Sequence, residues 1–205
     1  LHFVWFLGHV SLVMTSALHF VSWIVTNPST FLYRSSYVFV IIAYSITLYN
    51  THKPTVKTSE VAMKRMLLDE NMHYLLLALY FVVATPLTVS LVPFFIYSLF
   101  HVGHYAHTTT ILNTLVPEDA VEMSDTFKSL IDQHYSSSMV LVAKYELFLM
   151  MGRLLLGLFF LQSTIFSVLI YIHFLRIRYT TSPTMRDTIH GVVTQLDHSI
   201  LPPTC

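Results

Sequence analysis

A run of about 30 apolar residues, Met72 to His101, carries Ala84-Thr85-Pro86-Leu87 at its centre. A straight helix of that length would reach roughly 45 Å, against a hydrocarbon core of ~30 Å. Pro86 removes a backbone donor and pushes Thr85 out of helical backbone. The sequence therefore predicts two arms, Met72 to Ala84 and Leu87 to His101, each only ~20–23 Å long. Two such arms form a short helical hairpin that occupies more area in one leaflet than in the other. That asymmetry points to membrane organisation rather than to soluble chemistry.

The rest of the chain agrees with a membrane setting. Of its 205 residues 54% are hydrophobic and only 11% charged, whereas soluble domains carry about 25% charged residues. The formal net charge is zero, so no basic field exists to attract nucleic acid. The single cysteine, Cys205, excludes an intrachain disulfide and a cysteine metal site. The chain opens on Leu1 inside an apolar run, so a preceding segment is expected.

The pattern predicts an all-α integral membrane protein, read as a single membrane domain over 1–205. About six apolar helices are expected, together with cytosolic amphipathic interfacial helices. Residues 1–26 form the first span, with Trp5, Phe6, Phe20 and Trp23 near its ends. Asn27-Pro28-Ser29-Thr30 makes a turn, and 31–49 form the second span. Ser59 to Glu70 reads as an amphipathic lead-in to the hairpin over 72–101. Pro117 starts an interfacial helix over 117–135, with Glu118, Asp119 and Glu122 in its first turns, where the helix dipole favours anions. Residues 139–161 and 164–178 form a second helical hairpin. Ser182-Pro183 then reads as N-cap and first turn of a tail helix over 183–200. Met185, Ile189, Val192, Val193, Leu196 and Ile200 line one stripe of that helix, which suits a membrane surface or a partner groove.

Charge selects between two topologies. If 72–101 is a hairpin, its flanks and the tail share one face. That face collects Lys53, Lys57, Lys64, Arg65, Lys128, Arg176, Arg178 and Arg186, and only Arg34 lies opposite. A single kinked span would put the tail arginines across the membrane from the lysine loop. The positive-inside rule favours the hairpin and a cytosolic basic face, with the N-terminus on the same side.

Three groups of residues could carry chemistry. His101, His104 and His107 form H-x-x-H-x-x-H at the end of the second arm, and His73 starts the first. A metal reading would need ligands from several segments. The spacing drifts around a helix, and interfacial histidines explain it without a metal. Lys144, Glu146 and Arg153 lie inside the span over 139–161. Mid-membrane charges cost about 2.5–3.5 kcal/mol each on insertion scales, so they pair, snorkel, line a path or meet a partner helix. Asp69, Glu70 and His73 offer an acid and a base, or simply a helix N-terminus with favourable acids. No G-x-S-x-G, P-loop or H-E-x-x-H motif occurs.

The block Leu67-Leu68-Asp69-Glu70, then His73-Tyr74-Leu75-Leu76, Pro86, Ser98-Leu99-Phe100-His101 and Tyr105 resembles the transmembrane protein 33 / Krüppel-homolog-2 family, with its yeast pore-membrane and endoplasmic-reticulum relatives. Glu146-Leu147-Phe148-Leu149-Met150 and Phe174-Leu175-Arg176-Ile177-Arg178-Tyr179 resemble the second half of the same family. The resemblance covers roughly Val61 to Leu196. It implies a non-enzymatic multi-pass protein of the endoplasmic reticulum and nuclear envelope with cytosolic termini. It also implies association with reticulon-type shaping proteins or nuclear pore components, and a membrane-binding tail helix at Pro183 to Ile200. It implies no catalytic residue, metal or cofactor. His104 and His107 fall outside the family pattern, and no basic tail follows Ile200. Three readings stand: a membrane-shaping scaffold, an adaptor subunit whose Lys144, Glu146 and Arg153 face a partner helix, and a histidine-metal lipid enzyme.

Overall fold

Helix starts and stops follow local chemistry. The computed structural model describes residues 1–53, 60–108 and 118–200. Helix α1 (His2–Val25) ends before the Asn27-Pro28 turn. The Ser29 hydroxyl then accepts the Leu32 amide at 3.3 Å and caps α2 (Thr30–His52). A short amphipathic helix, α3 (Glu60–Leu67), stops where Asp69 turns extended and caps α4 (Glu70–Val83) by accepting the Asn71 amide at 2.8 Å. The two helices meet at a bend of 65°. The expected lead-in over Ser59 to Glu70 therefore stops short at Leu67, because Asp69 caps a new helix that starts at Glu70, and its first residue, Ser59, lies outside the described residues.

Pro86 acts as the sequence predicts. Ala84 and Leu87 are extended, a 3-10 turn follows at Thr88–Ser90, and α5 (Leu91–Thr108) begins. Pro93 falls in the first turn of α5, where no amide is needed. The arms are unequal, which corrects the expectation of two short ones. The α4 arm has 14 residues, ~21 Å. The second arm runs past His101 to Thr108, and Thr88–Thr108 is long and apolar enough to cross a membrane. His104 and His107 are polar but do not break a helix, so the polar run beyond His101 was no stop signal.

Leu1–Ser138 forms one compact unit and Met139–Cys205 another. In the first, α1, α2, α4 and α5 alternate in direction. Helix α1 crosses α2 at Gly8, where a Cβ would be in van der Waals contact with the Ala43 Cβ at 3.4 Å. At the other end of the crossing Ser36 bonds to Thr15. Tyr44 packs against Tyr74 and Tyr37 against Phe81, so α4 runs opposite to α2. His9 meets Ser98 and His19 meets Thr88, so α5 runs opposite to α1. The hairpin therefore returns to the side it left, the side of Leu1 and His52.

The helix over 118–144, α6 (Glu118–Lys144), continues through a π-helical turn at Tyr145–Met150 into α7 (Met151–Phe159). This departs from the expected break between an interfacial helix at 117–135 and a span at 139–161. Ser136-Ser137-Ser138 is polar but holds no proline or glycine, and serine is tolerated inside helices. Pro117, its expected first residue, lies outside the described residues. The second unit continues with α8 (Ile165–Thr181), packed on α7, and α9 (Pro183–Ile200), packed on α8.

The turn from α7 to α8 is a Schellman motif. The Gln162 amide donates to the Gly157 carbonyl at 2.7 Å, and the Leu161 amide to the Leu158 carbonyl at 3.2 Å. Leu161 takes the left-handed position at φ 57° with its side chain 92% exposed. A Cβ at Gly157 would crowd the side chains of Ser163 and Arg153, which pack closely over this glycine. Leu161→Gly is expected to stabilise the protein by about 1 kcal/mol, because a left-handed leucine is strained and this side chain packs on nothing. Survival of monomer after heating in detergent is the readout; an unchanged or lower midpoint would count against it.

Candidate functional site

The first unit is held by a polar and aromatic seam rather than by aliphatic packing alone. Tyr37 and Tyr33 are fully buried on α2, and their hydroxyls meet the Ser90 hydroxyl at 2.6 and 3.1 Å. Ser90 in turn donates to the Leu87 carbonyl at 2.6 Å, which the Pro86 break leaves outside any helix. The tip of the hairpin is thereby tied to α2. His19 bridges the Ser29 carbonyl and the Thr88 hydroxyl, both at 3.1 Å, and ties the same tip to the α1–α2 turn.

At the other end of the bundle the arms close on each other. The Tyr74 hydroxyl donates to the Tyr97 hydroxyl at 3.0 Å. His73 is buried on α4. His101 packs instead on α1, with ring centroids 4.7 Å from His9 and 5.3 Å from Trp5. Trp5 donates to Thr47 at 2.8 Å and Phe6 stacks on Tyr105 at 4.5 Å, so these span-end aromatics also bind α1 to its neighbours. No group of three or more potential metal ligands comes together among the described residues.

His9 was not legible as a functional position. Its signal is the face shared by Gly8, His9, Leu12, Ser16 and His19, which puts three polar side chains on one side of an apolar helix. In lipid such a face must be covered by protein, and α2 and α5 cover it.

Outside this seam, a cavity of about 310 Å³ opens between α5 and α6, at the end of α5 away from Pro86. Tyr97, Phe100, His101 and His104 line one wall, and Ile131, Asp132 and Tyr135 the other. The α5 residues follow an i, i+3, i+4, i+7 pattern, one helical face.

In the second unit Glu146 is 1% exposed and Arg178 is 3% exposed, and they face each other at 3.3 Å. Arg178 therefore leaves the basic face to which charge counting assigned it. Glu146 sits in the π turn, where the backbone carbonyls lose their usual register, and the Tyr171 hydroxyl donates to its carbonyl at 2.9 Å. Arg153, seven residues on, donates to Gln162 at 2.9 Å instead of meeting Glu146, and Lys144 is exposed. On α9 Met185 is fully buried, Ile189 and Val192 are half-buried, and Val193 and Leu196 are 49% and 53% exposed. The side chain of Ile200 lies outside the described residues.

Three helices, α1, α2 and the second hairpin arm with its 3-10 turn, are each long and apolar enough to cross a membrane, and the bent α3–α4 pair makes up to four. Among the described residues α7 and α8 are too short to qualify on their own, so the expected count of about six apolar helices is not matched by as many span-length ones. Among the described residues no strand occurs. Helices of this kind, joined through buried polar contacts, define an all-α multi-span membrane protein.

The profile of the family Transmembrane protein 33/Nucleoporin POM33 matches residues 1–205, and the chain belongs to that family. It is 32% identical over 211 residues to Tetra-spanning protein 1 of Schizosaccharomyces pombe, covering 97% of this chain and 75% of that protein. It is 29% identical over 225 residues to Nucleoporin POM33 of Chaetomium thermophilum, covering 98% and 77%. Transmembrane protein 33 of Mus musculus is 27% identical over 154 residues, covering 74% of this chain and 61% of that protein. No solved structure matches the chain.

Proposed function

We propose that this protein organises or shapes endoplasmic-reticulum and nuclear-envelope membrane and scaffolds partner membrane proteins there, without a catalytic step and with both termini in the cytosol. The observation that carries the reading is the inequality of the hairpin arms. One arm is span-length, while the other is short and turns by 65° into an amphipathic helix. That arrangement places more protein in one leaflet than in the other. Val61, Met63 and Leu67 are exposed on α3 and offer further apolar surface to that leaflet, and Val193 and Leu196 are exposed on α9. The names of pore-membrane relatives support nuclear pore components as one class of partner, and we propose reticulon-type shaping proteins as a second.

Reconstitution of the full chain into liposomes at rising protein-to-lipid ratio tests the reading. Tubules or small vesicles are expected to appear with dose. Val193→Asp should weaken the effect several-fold, because a charge on the exposed tail face opposes its insertion, while the spans keep the protein in the bilayer. Unchanged vesicles with full incorporation would contradict intrinsic shaping. The adaptor reading centred on Lys144, Glu146 and Arg153 has less support, since Glu146 and Arg153 already bond within the second unit.

A further inference from the structure

The cavity between α5 and α6 has a chemistry that the shaping reading does not use. Three of its seven lining side chains are the aromatic rings of Tyr97, Phe100 and Tyr135, and none is a lysine or arginine. Phe100 and Tyr135 stand at 87° to each other with centroids 5.3 Å apart, an edge-to-face pair that joins the two walls. Tyr97 is anchored from behind by the hydroxyl of Tyr74, and His101 by the rings of Trp5 and His9. Asp132 supplies a carboxylate on the opposite wall. Its volume of about 310 Å³ is at the low end of the ~300–1,000 Å³ of ligand pockets, the size for a head group rather than for a whole lipid.

Aromatic faces attract a cation through the ring quadrupole, most strongly when the cation is bulky and weakly hydrated. The Asp132 carboxylate on the opposite wall adds to that field. We propose that this cavity binds a quaternary ammonium group, the choline head of a phospholipid at the membrane surface. The rings of Phe100 and Tyr135 would hold the methyl groups and Asp132 would balance the charge. His101 and His104, on the same face of α5, would offer ring N–H donors to the adjoining phosphate. The position agrees with the chemistry, since these residues lie on the last turns of a span-length helix, where a bilayer presents its head groups.

The test is native mass spectrometry of the full chain in a maltoside detergent, titrated separately with phosphatidylcholine, phosphatidylethanolamine and phosphatidylglycerol. The expected result is one tightly retained phosphatidylcholine, with the other two lipids about tenfold weaker. Tyr135→Ala and Asp132→Asn should each weaken phosphatidylcholine by about tenfold. Both residues are exposed, so these substitutions leave the core intact. Leu99→Ala, on another face of α5, should change nothing. Equal retention of the three lipids, or phosphatidylcholine binding indifferent to both variants, would overturn the proposal. A parallel titration with free phosphocholine separates the sources. Weak competition supports a lipid head group; competition equal to that of the lipid supports the ammonium site but overturns its assignment to the membrane.

Discussion

Glu146→Met is expected to be the most damaging single substitution in the second unit. Removing one member of a buried pair costs about 3–5 kcal/mol, because the other charge stays in a place that water cannot reach. The two directions are not equivalent. A carboxyl left behind by Arg178→Met can take up a proton and become neutral. A guanidinium left behind by Glu146→Met cannot shed its charge. Glu146→Met should therefore lower the thermal midpoint in detergent more than Arg178→Met does. The double variant, which removes both charges, should recover most of the loss. A double variant as unstable as Glu146→Met would show that the carboxylate matters for some contact other than Arg178. The π turn sharpens the expectation, since it sets Glu146 where both its side chain and its carbonyl are bonded to α8.

Tyr37→Ala should be the most damaging change in the first unit. Its ring is fully buried between Tyr33, Phe81 and Phe94, so one side chain joins α2 to both arms of the hairpin. Truncating a buried aromatic costs about 3–5 kcal/mol. Tyr37→Phe keeps the ring and loses the 2.6 Å bond to Ser90, which should cost only about 1 kcal/mol. Comparing the two variants by protease resistance of the 84–87 break separates packing from polar anchoring. Equal damage by both would mean that the Ser90 bond, rather than the ring, holds the hairpin tip.

The elements that local chemistry controls were legible in the sequence. Pro86 broke the apolar run, the turn at 27–30 separated the first two helices, and the tail helix began at Pro183. Elements governed by packing were not. Ser136-Ser137-Ser138 reads as a loop by polarity, yet nothing in three serines interrupts a helix once both neighbours are helical. Arg178 reads as an interfacial cation because it follows an apolar run next to Arg176. Only the placement of Glu146 one helix away draws it inward. Likewise His101 and His73 sit at the open end of the two arms in the sequence, while the helices bring His101 to His9 and Trp5 on α1. A sequence shows which face of a helix is polar, but not which neighbouring helix covers it.

The central claim is that 72–101 leaves and re-enters on one side of the membrane. Single cysteines at Asn27, Lys53 and Thr108, in a Cys205→Ser background, test it directly when sealed vesicles are treated with a membrane-impermeant thiol reagent. Positions 53 and 108 should label together from one side, with position 27 labelled only from the other. Labelling of 53 and 108 from opposite sides would make the stretch a single kinked span and would contradict both the leaflet asymmetry and the topology built on it.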